Sequence, residues 1–139
     1  MPGSRFGRRG LLWLGAGGLA AITGLHFLWP NGAEAGGGID VAAILPLTGP
    51  LAAYGDQARL GLTLAATEIE NDGGILGQPL HLRLLDDASD PEAARAIAEA
   101  LAEERRILAI LGPVSSAARN AMAPITGRAR LPLLYATNY

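Results

Sequence analysis

Short apolar runs alternate with stretches of helical period along most of this chain. The runs are "IDVAAILP" from Ile39, "LHLRLL" from Leu80, "ILAIL" from Ile107 and "LPLLYA" from Leu131. Each has the length of a strand, and the connections between them are long enough to hold a crossover helix. The pattern predicts an α/β fold, a parallel sheet with helices on both faces.

The stretches between the runs carry apolar residues on one helical face. The first helix is expected from about Asp56, and the second has Asp90 as its N-cap and Pro91 as its first residue. Ser116 is expected to cap the third helix, which should end near Gly127. The buried stripe of the first helix is predicted to be Ala58, Leu62, Ala65, Ala66 and Ile69.

The N-terminal segment, residues 1–35, has the layout of an export signal. A basic start precedes an apolar stretch from Leu11 to Pro30, and the small-residue sequence "AEA" ends at Ala35, where cleavage is expected. The pair Arg8-Arg9 resembles a twin-arginine signal, and general secretion is equally open. An uncleaved membrane anchor is the alternative. In each case residues 36–139 should face the periplasm.

Charge and composition narrow the function classes. The chain has 11 basic and 13 acidic residues, a net charge of -2, and the first 35 residues hold three arginines and one glutamate. Without them the net charge becomes -4, which argues against nucleic acid as a partner. Cysteine is absent from the sequence, and this excludes disulfides, thiolate metal sites and a lipid-modified cysteine.

Ser115 and Ser116 lie where a predicted strand ends and a predicted helix begins. Ligands collect beyond the carboxyl ends of such strands, and a helix amino end with adjacent hydroxyls favours an anion. A purely capping Ser116 is the alternative, and the two roles are compatible. A serine nucleophile is disfavoured, because the turn lacks a G-x-S-x-G pattern and His81 lies inside a strand.

Other polar or aromatic positions give weaker signals. Asp86 and Asp87 are interpreted as a solvated loop, since the chain has no lysine to complete a receiver-type site. "GGILG" from Gly73 follows a helix, so it is not a phosphate loop, and no metal site is expected. Tyr54, in the loop after the first strand, could stack on a ligand or cover the edge of the sheet.

Three segments together resemble a known family. They are "ILPLTGPLAAYGDQARLGLTLAATEIENDGGILGQPL", "LLDDASDPEAA" and "ILGPVSSAARNAMAPI". Their ordered motifs are similar to the first lobe of the type 1 periplasmic binding proteins, in particular the branched-chain amino acid branch that serves ABC importers. The similarity spans Ile39 to Tyr139. "LLYATNY" also resembles the amide- and urea-binding branch, so a neutral amide ligand stays open.

The resemblance implies a non-enzymatic function without a cofactor. Two lobes would close on a small polar solute, which an ABC permease in the inner membrane would then receive. Ser115 and Ser116 would meet the solute carboxylate, Thr137 would add its N–H and hydroxyl, and the Ala136 carbonyl would accept from an ammonium or amide. Tyr54 would line the side-chain end.

The chain departs from the family pattern in length. Family members have about 350 residues in two lobes, whereas this chain has 139 and ends within the first lobe. We therefore expect a truncated product with an exposed sheet edge that is prone to aggregate. Two alternatives are a ligand sensor that controls a signalling partner and an exported hydrolase acting through Ser115 or Ser116.

Overall fold

The structure is a computed structural model that describes residues 37–135. The expected leader, residues 1–35, and the two predicted ligand contacts Ala136 and Thr137 lie outside the described residues, so these remain predictions. None of the helices within residues 37–135 combines the length and the apolar character that a membrane crossing requires.

Strands and helices alternate as the sequence pattern predicts. β1 is followed by α1 and β2, then by α2 and β3, and finally by α3 and β4. α1 begins before the expected Asp56, and in the described part of the chain β4 is shorter than the run "LPLLYA". The elements are β1 (Ile39–Leu45), α1 (Ala52–Asn71), β2 (Leu80–Asp86), α2 (Pro91–Ala102), β3 (Ile107–Leu111), α3 (Ser116–Ala129) and β4 (Leu133–Leu134).

The four strands form one parallel sheet in the order β2-β1-β3-β4. β1 is therefore an inner strand, and its side chains alternate between two buried faces. Ala42 and Ile44 point to one face, while Ala43 and Leu45 point to the other, and all four are almost completely inaccessible to solvent. A strand buried on both sides reads as a continuous apolar run, as "VAAIL" does.

Helices cover both faces, which confirms the predicted fold class. α2 and α3 pack together on the face of Ile44, and α1 packs over β1 and β2 on the face of Leu45. The α2–α3 side has the larger buried core; the helix residues in it are Ala94, Ala98, Leu101, Ala118, Met122 and Ile125. On α1, Ala58 and Leu62 pack against the sheet, whereas Ala65 of the predicted stripe is exposed.

Charged side chains pair at the amino ends of the strands. Asp40 at the start of β1 lies 3.0 Å from the His81 Nδ1 and 3.1 Å from the Arg106 guanidinium. Arg83 pairs with Glu104 at 2.5 Å. Within residues 37–135 the acidic and histidine side chains form no group that could hold a metal ion. His81 therefore pairs with a carboxylate near the start of β2, at the opposite end of the strand from the edge where β2 ends.

Candidate functional site

The carboxyl ends of the parallel strands lie at one edge of the sheet, which we call the rim. Three loops form it: residues 46–51 after β1, residues 87–90 after β2 and residues 112–115 after β3. β1 and β3 are neighbours, yet the helices that follow them lie on opposite faces. The two chain segments therefore diverge beyond the sheet. Such a divergence opens the crevice in which α/β sheets bind ligands.

The turn after β3 is tight and largely buried. Gly112 has a φ of +93°, and a Cβ at this position would lie 2.2 Å from the Ile44 carbonyl oxygen, so a side chain would have no room. The Gly112 N–H donates to the Leu134 carbonyl at 2.9 Å, and Pro113, joined to Gly112 by a cis peptide bond, is buried with Val114. The backbone thus leads directly from the sheet into the serine pair.

Ser115, and not Ser116, caps α3. The Ser115 backbone is extended, with φ -89° and ψ 144°, and its Oγ accepts from the Ala118 N–H at 3.1 Å. Ser116 is already the first helical residue. The predicted cap is therefore wrong by one residue, because an N-cap needs non-helical backbone and two adjacent serines give the sequence no means of choosing. Ser115 accepts through its oxygen and can still donate its hydroxyl hydrogen.

Tyr54 lies in the first turn of α1, on the rim. Half of its surface is accessible, at 52%. The neighbouring Gly55 is buried, and a Cβ there would lie 2.0 Å from the Pro46 carbonyl oxygen. This close approach sets the first turn of α1 against the end of β1. The accessible Tyr54 side chain therefore projects from a backbone that is fixed beside the end of β1.

The interpretation of Asp86 and Asp87 as a solvated loop is wrong. Asp87 is only 2% exposed, and Asp86 holds the neighbouring loop through both carboxylate oxygens. Asp86 Oδ1 accepts from the N–H groups of Leu47 at 2.8 Å, Thr48 at 3.1 Å and Ala88 at 2.8 Å. Its Oδ2 accepts from the Thr48 hydroxyl at 2.7 Å. The sequence of a single loop does not predict hydrogen bonds between the loops that follow two neighbouring strands.

The two aspartates differ in their protonation equilibria. Burial alone would raise the pKa of Asp86, but hydrogen bonds from the Thr48 hydroxyl and from the Ala88, Thr48 and Leu47 amides hold its pKa below the ordinary value of 3.8. Burial raises the pKa of Asp87; the Ser89 N–H opposes this rise, and the charges of Asp86 and Asp90 add to it. Asp86 therefore has the lower pKa of the two carboxyls.

Sequence reasoning also missed a cation near the serine turn. The Arg119 guanidinium, in the first turns of α3, lies 4.9 Å from the ring centroid of Tyr135, just after β4. This distance is typical of a cation–π contact. An arginine one turn beyond the serine pair and a tyrosine at a strand end were the available signals. The contact links the amino end of α3 to the chain segment that leads to Ala136 and Thr137.

The rim combines features suited to binding a small solute. Ser115 and Ser116 offer hydroxyl groups at the positive end of the α3 dipole, and Tyr54 adds an aromatic surface at the end of β1. His81, the histidine in the described part of the chain, lies near the opposite end of the strands beside Asp40. Among residues 37–135, no histidine therefore lies beside the rim serines.

Comparison with known proteins gives a consistent result at the level of sequence. Residues 38–139 match the family model described as "Periplasmic binding protein". A Leu/Ile/Val-binding protein of Rhizobium johnstonii is 44% identical over 78 residues, which cover 56% of this chain and 21% of that protein. Leu/Ile/Val-binding protein homolog 7 of Brucella melitensis is 32% identical over 105 residues, covering 76% of this chain and 26% of its own length.

Comparison with solved structures agrees with the comparison of sequences. The branched-chain amino acid transporter substrate-binding protein LivJ of Streptococcus pneumoniae, in complex with isoleucine, superposes with a TM-score of 0.70 at 29% identity, covering 73% of this chain and 29% of that one. A substrate-binding protein of Desulfitobacterium hafniense in complex with Leu gives a TM-score of 0.65 at 32% identity, with the same coverage. This chain thus spans between a fifth and a third of the length of these relatives. It belongs to the periplasmic binding protein family.

Proposed function

We propose that this chain carries part of the solute site of an ABC importer's substrate-binding component and that the solute is a branched-chain amino acid. One observation carries the proposal. The serine pair lies at the amino end of α3 and Tyr54 lies in the first turn of α1, and these two helices follow the neighbouring parallel strands β3 and β1 at the same edge of the sheet. The names of the Rhizobium johnstonii and Streptococcus pneumoniae relatives support the ligand class.

The geometry suggests a division of roles. The solute carboxylate would lie at the amino end of α3, where the helix dipole and the hydroxyls of Ser115 and Ser116 favour an anion. By resemblance to the family, Thr137 would donate to the same carboxylate and the Ala136 carbonyl would accept from the ammonium group; both residues lie outside residues 37–135. Tyr54 would contact the aliphatic side chain, for which an aromatic ring offers apolar area.

Location and partners follow from the same proposal. Residues 1–35 would direct export, residues 36–139 would act in the periplasm, and an ABC permease would accept the solute. The chain spans about a quarter of the length of its relatives. In a family whose members close two lobes on a solute, residues 37–135 would supply one wall of the site. The affinity of this wall alone should be low, because a solute held on one side loses less water-exposed surface.

A titration with isoleucine tests the ligand and the site together. Addition of isoleucine to the ¹⁵N-labelled full chain should shift the amide resonances of Tyr54, Ser115 and Ser116. The variant Ser116→Ala should weaken binding by about 1–3 kcal/mol, because a hydrogen bond to the charged carboxylate is lost. Thr67→Ala is the matched control: it removes a hydroxyl that donates to the Thr63 carbonyl at 2.8 Å in the middle of α1.

Two outcomes of the same titration would contradict the proposal. Equal affinities of Ser116→Ala and wild type would reject the serine pair as the carboxylate site. Shifts with a neutral amide such as leucinamide, and none with isoleucine, would reject the amino acid in favour of an amide ligand.

A further inference from the structure

The amino end of α1 is capped by a residue from another loop. Leu51 is the N-cap of α1, and its apolar side chain cannot accept a hydrogen bond. Its N–H instead donates to the Ser89 Oγ at 3.0 Å, and the same hydroxyl donates to the Thr48 carbonyl at 2.8 Å. Ser89, in the loop after β2, therefore binds the loop after β1 at two points, Thr48 and Leu51, that are three positions apart in the sequence.

Asp86, the last residue of β2, also binds the loop after β1. Three backbone N–H groups and the Thr48 hydroxyl converge on its carboxylate, and one of these donors, Ala88, belongs to the loop after β2. Hydrogen bonds to an ionised acceptor are stronger than those between neutral groups. At Gly49 the two loops touch so closely that a Cβ would lie 2.5 Å from the Ala88 carbonyl oxygen. The two loops thus form one interlocked unit.

We infer that Asp86 and Ser89 are positioning residues of the solute site: they fix the loop after β1, and with it the α1 turn that carries Tyr54, without contacting the solute. This inference rests on the proposed function, because it assigns the purpose of the interlock. A loop that is ordered before binding spares the solute the cost of ordering it. Loosening the loop should therefore weaken binding by about 3- to 10-fold while the serine pair stays in place.

Amide hydrogen exchange on the full chain tests the interlock without any ligand. Asp86→Asn should lower the protection of the Thr48 and Ala88 amides, because the charged acceptor is lost. Asp87→Asn is the matched control, since the Asp87 carboxylate accepts from the Ser89 N–H at 2.9 Å inside its own loop and an asparagine oxygen can do the same. Unchanged protection of Thr48 in Asp86→Asn would overturn the inference, whatever the ligand does.

Isoleucine titrations of the same variants test the positioning role. Asp86→Asn and Ser89→Ala should raise the Kd about 3- to 10-fold, and isoleucine should still shift the resonances of Ser115 and Ser116. Thr48→Ser, which keeps the hydroxyl that donates to Asp86, should bind like wild type, whereas Thr48→Val should bind like Asp86→Asn. A general folding defect would not make the affinity depend on whether residue 48 keeps its hydroxyl group.

The outcomes separate the two proposals. Wild-type affinity in an Asp86→Asn variant that has lost its Thr48 protection would overturn the positioning role and leave the proposed function intact. Absence of isoleucine binding by the wild-type chain, with protection still lost in Asp86→Asn, would reject the proposed function and the assigned purpose of the interlock together.

Discussion

Asp86 and Asp87 are adjacent and chemically identical, but their surroundings shift their pKa values in opposite directions. Asp86 faces four donors, whereas Asp87 is buried beside other carboxylates and accepts from the Ser89 N–H. At the residue scale, the number of converging donors decides which carboxyl has its pKa lowered in spite of burial. The sequence "DDASDP" shows three aspartates and gives no count of the donors that each receives.

The environment of Asp86 predicts that the stability of the fold against unfolding depends on pH in the acid range. The pKa of Asp86 is lowered on folding, so its contribution is present above its unfolded pKa of about 3.9 and is lost as pH falls through the lower folded value. Asp86→Asn should therefore unfold at lower urea concentration than wild type at pH 7, and the difference should shrink below about pH 4. Urea midpoints from pH 7 to pH 3 measure this.

Asp87→Asn is the internal comparison for that series. The pKa of Asp87 is raised on folding, so its ionised form is disfavoured in the folded state and its contribution is lost as pH rises. Wild type should therefore gain stability relative to Asp87→Asn on acidification, which is the opposite trend. Parallel trends in the two variants would contradict the assignment of the two environments.

At the scale of elements, the helices differ in where their caps come from. α2 is capped by Asp90, whose Oδ1 accepts from the Glu92 N–H at 3.0 Å, and Pro91 occupies the first position. All of these signals are adjacent in sequence, so the start of α2 could be predicted correctly. The start of α1 could not, because Ser89 caps it from 38 residues away, and at α3 two consecutive serines left the cap ambiguous.

The cap of α2 gives a prediction at this scale. Asp90→Ala should destabilise the fold by about 0.5–2 kcal/mol, because the Glu92 N–H loses its acceptor at the amino end of the helix. Asp56→Ala is the control, since it removes an exposed carboxylate that pairs with Arg59 at 3.2 Å along α1 and such pairs contribute about 0.3–0.5 kcal/mol. Urea unfolding of both variants measures the two costs. Equal losses would mean that the cap contributes no more than a surface ion pair.

At the scale of the whole molecule, α1 leaves part of one sheet face uncovered among residues 37–135. α1 packs over β1 and β2, while Leu134 on β4 is 55% exposed although its neighbour Leu133 packs into the α2–α3 core. Parallel order and two-sided packing were predictable from the alternating pattern. The strand order was not, because the pattern along the chain contains no information on which strands become neighbours.

The uncovered face predicts that copies of the chain associate through it at high concentration. Leu134→Lys should reduce the apparent mass in sedimentation experiments at high protein concentration, because a charge on this face opposes apolar contact between copies. Leu76→Lys is the control: Leu76 is 94% exposed but lies in the turn between α1 and β2. Similar reductions by both variants would show that added charge alone, and not this face, governs association.

The buried Gly55 has a mechanical consequence. With the Pro46 carbonyl oxygen only 2.0 Å from the place of a Cβ, the beginning of α1 rests on the end of β1 without an intervening side chain. A hinge at this contact would need space that the packing does not contain. We therefore expect any conformational change of residues 37–135 to carry the start of α1 and the end of β1 together as one rigid body, with no bending between the helix and the strand.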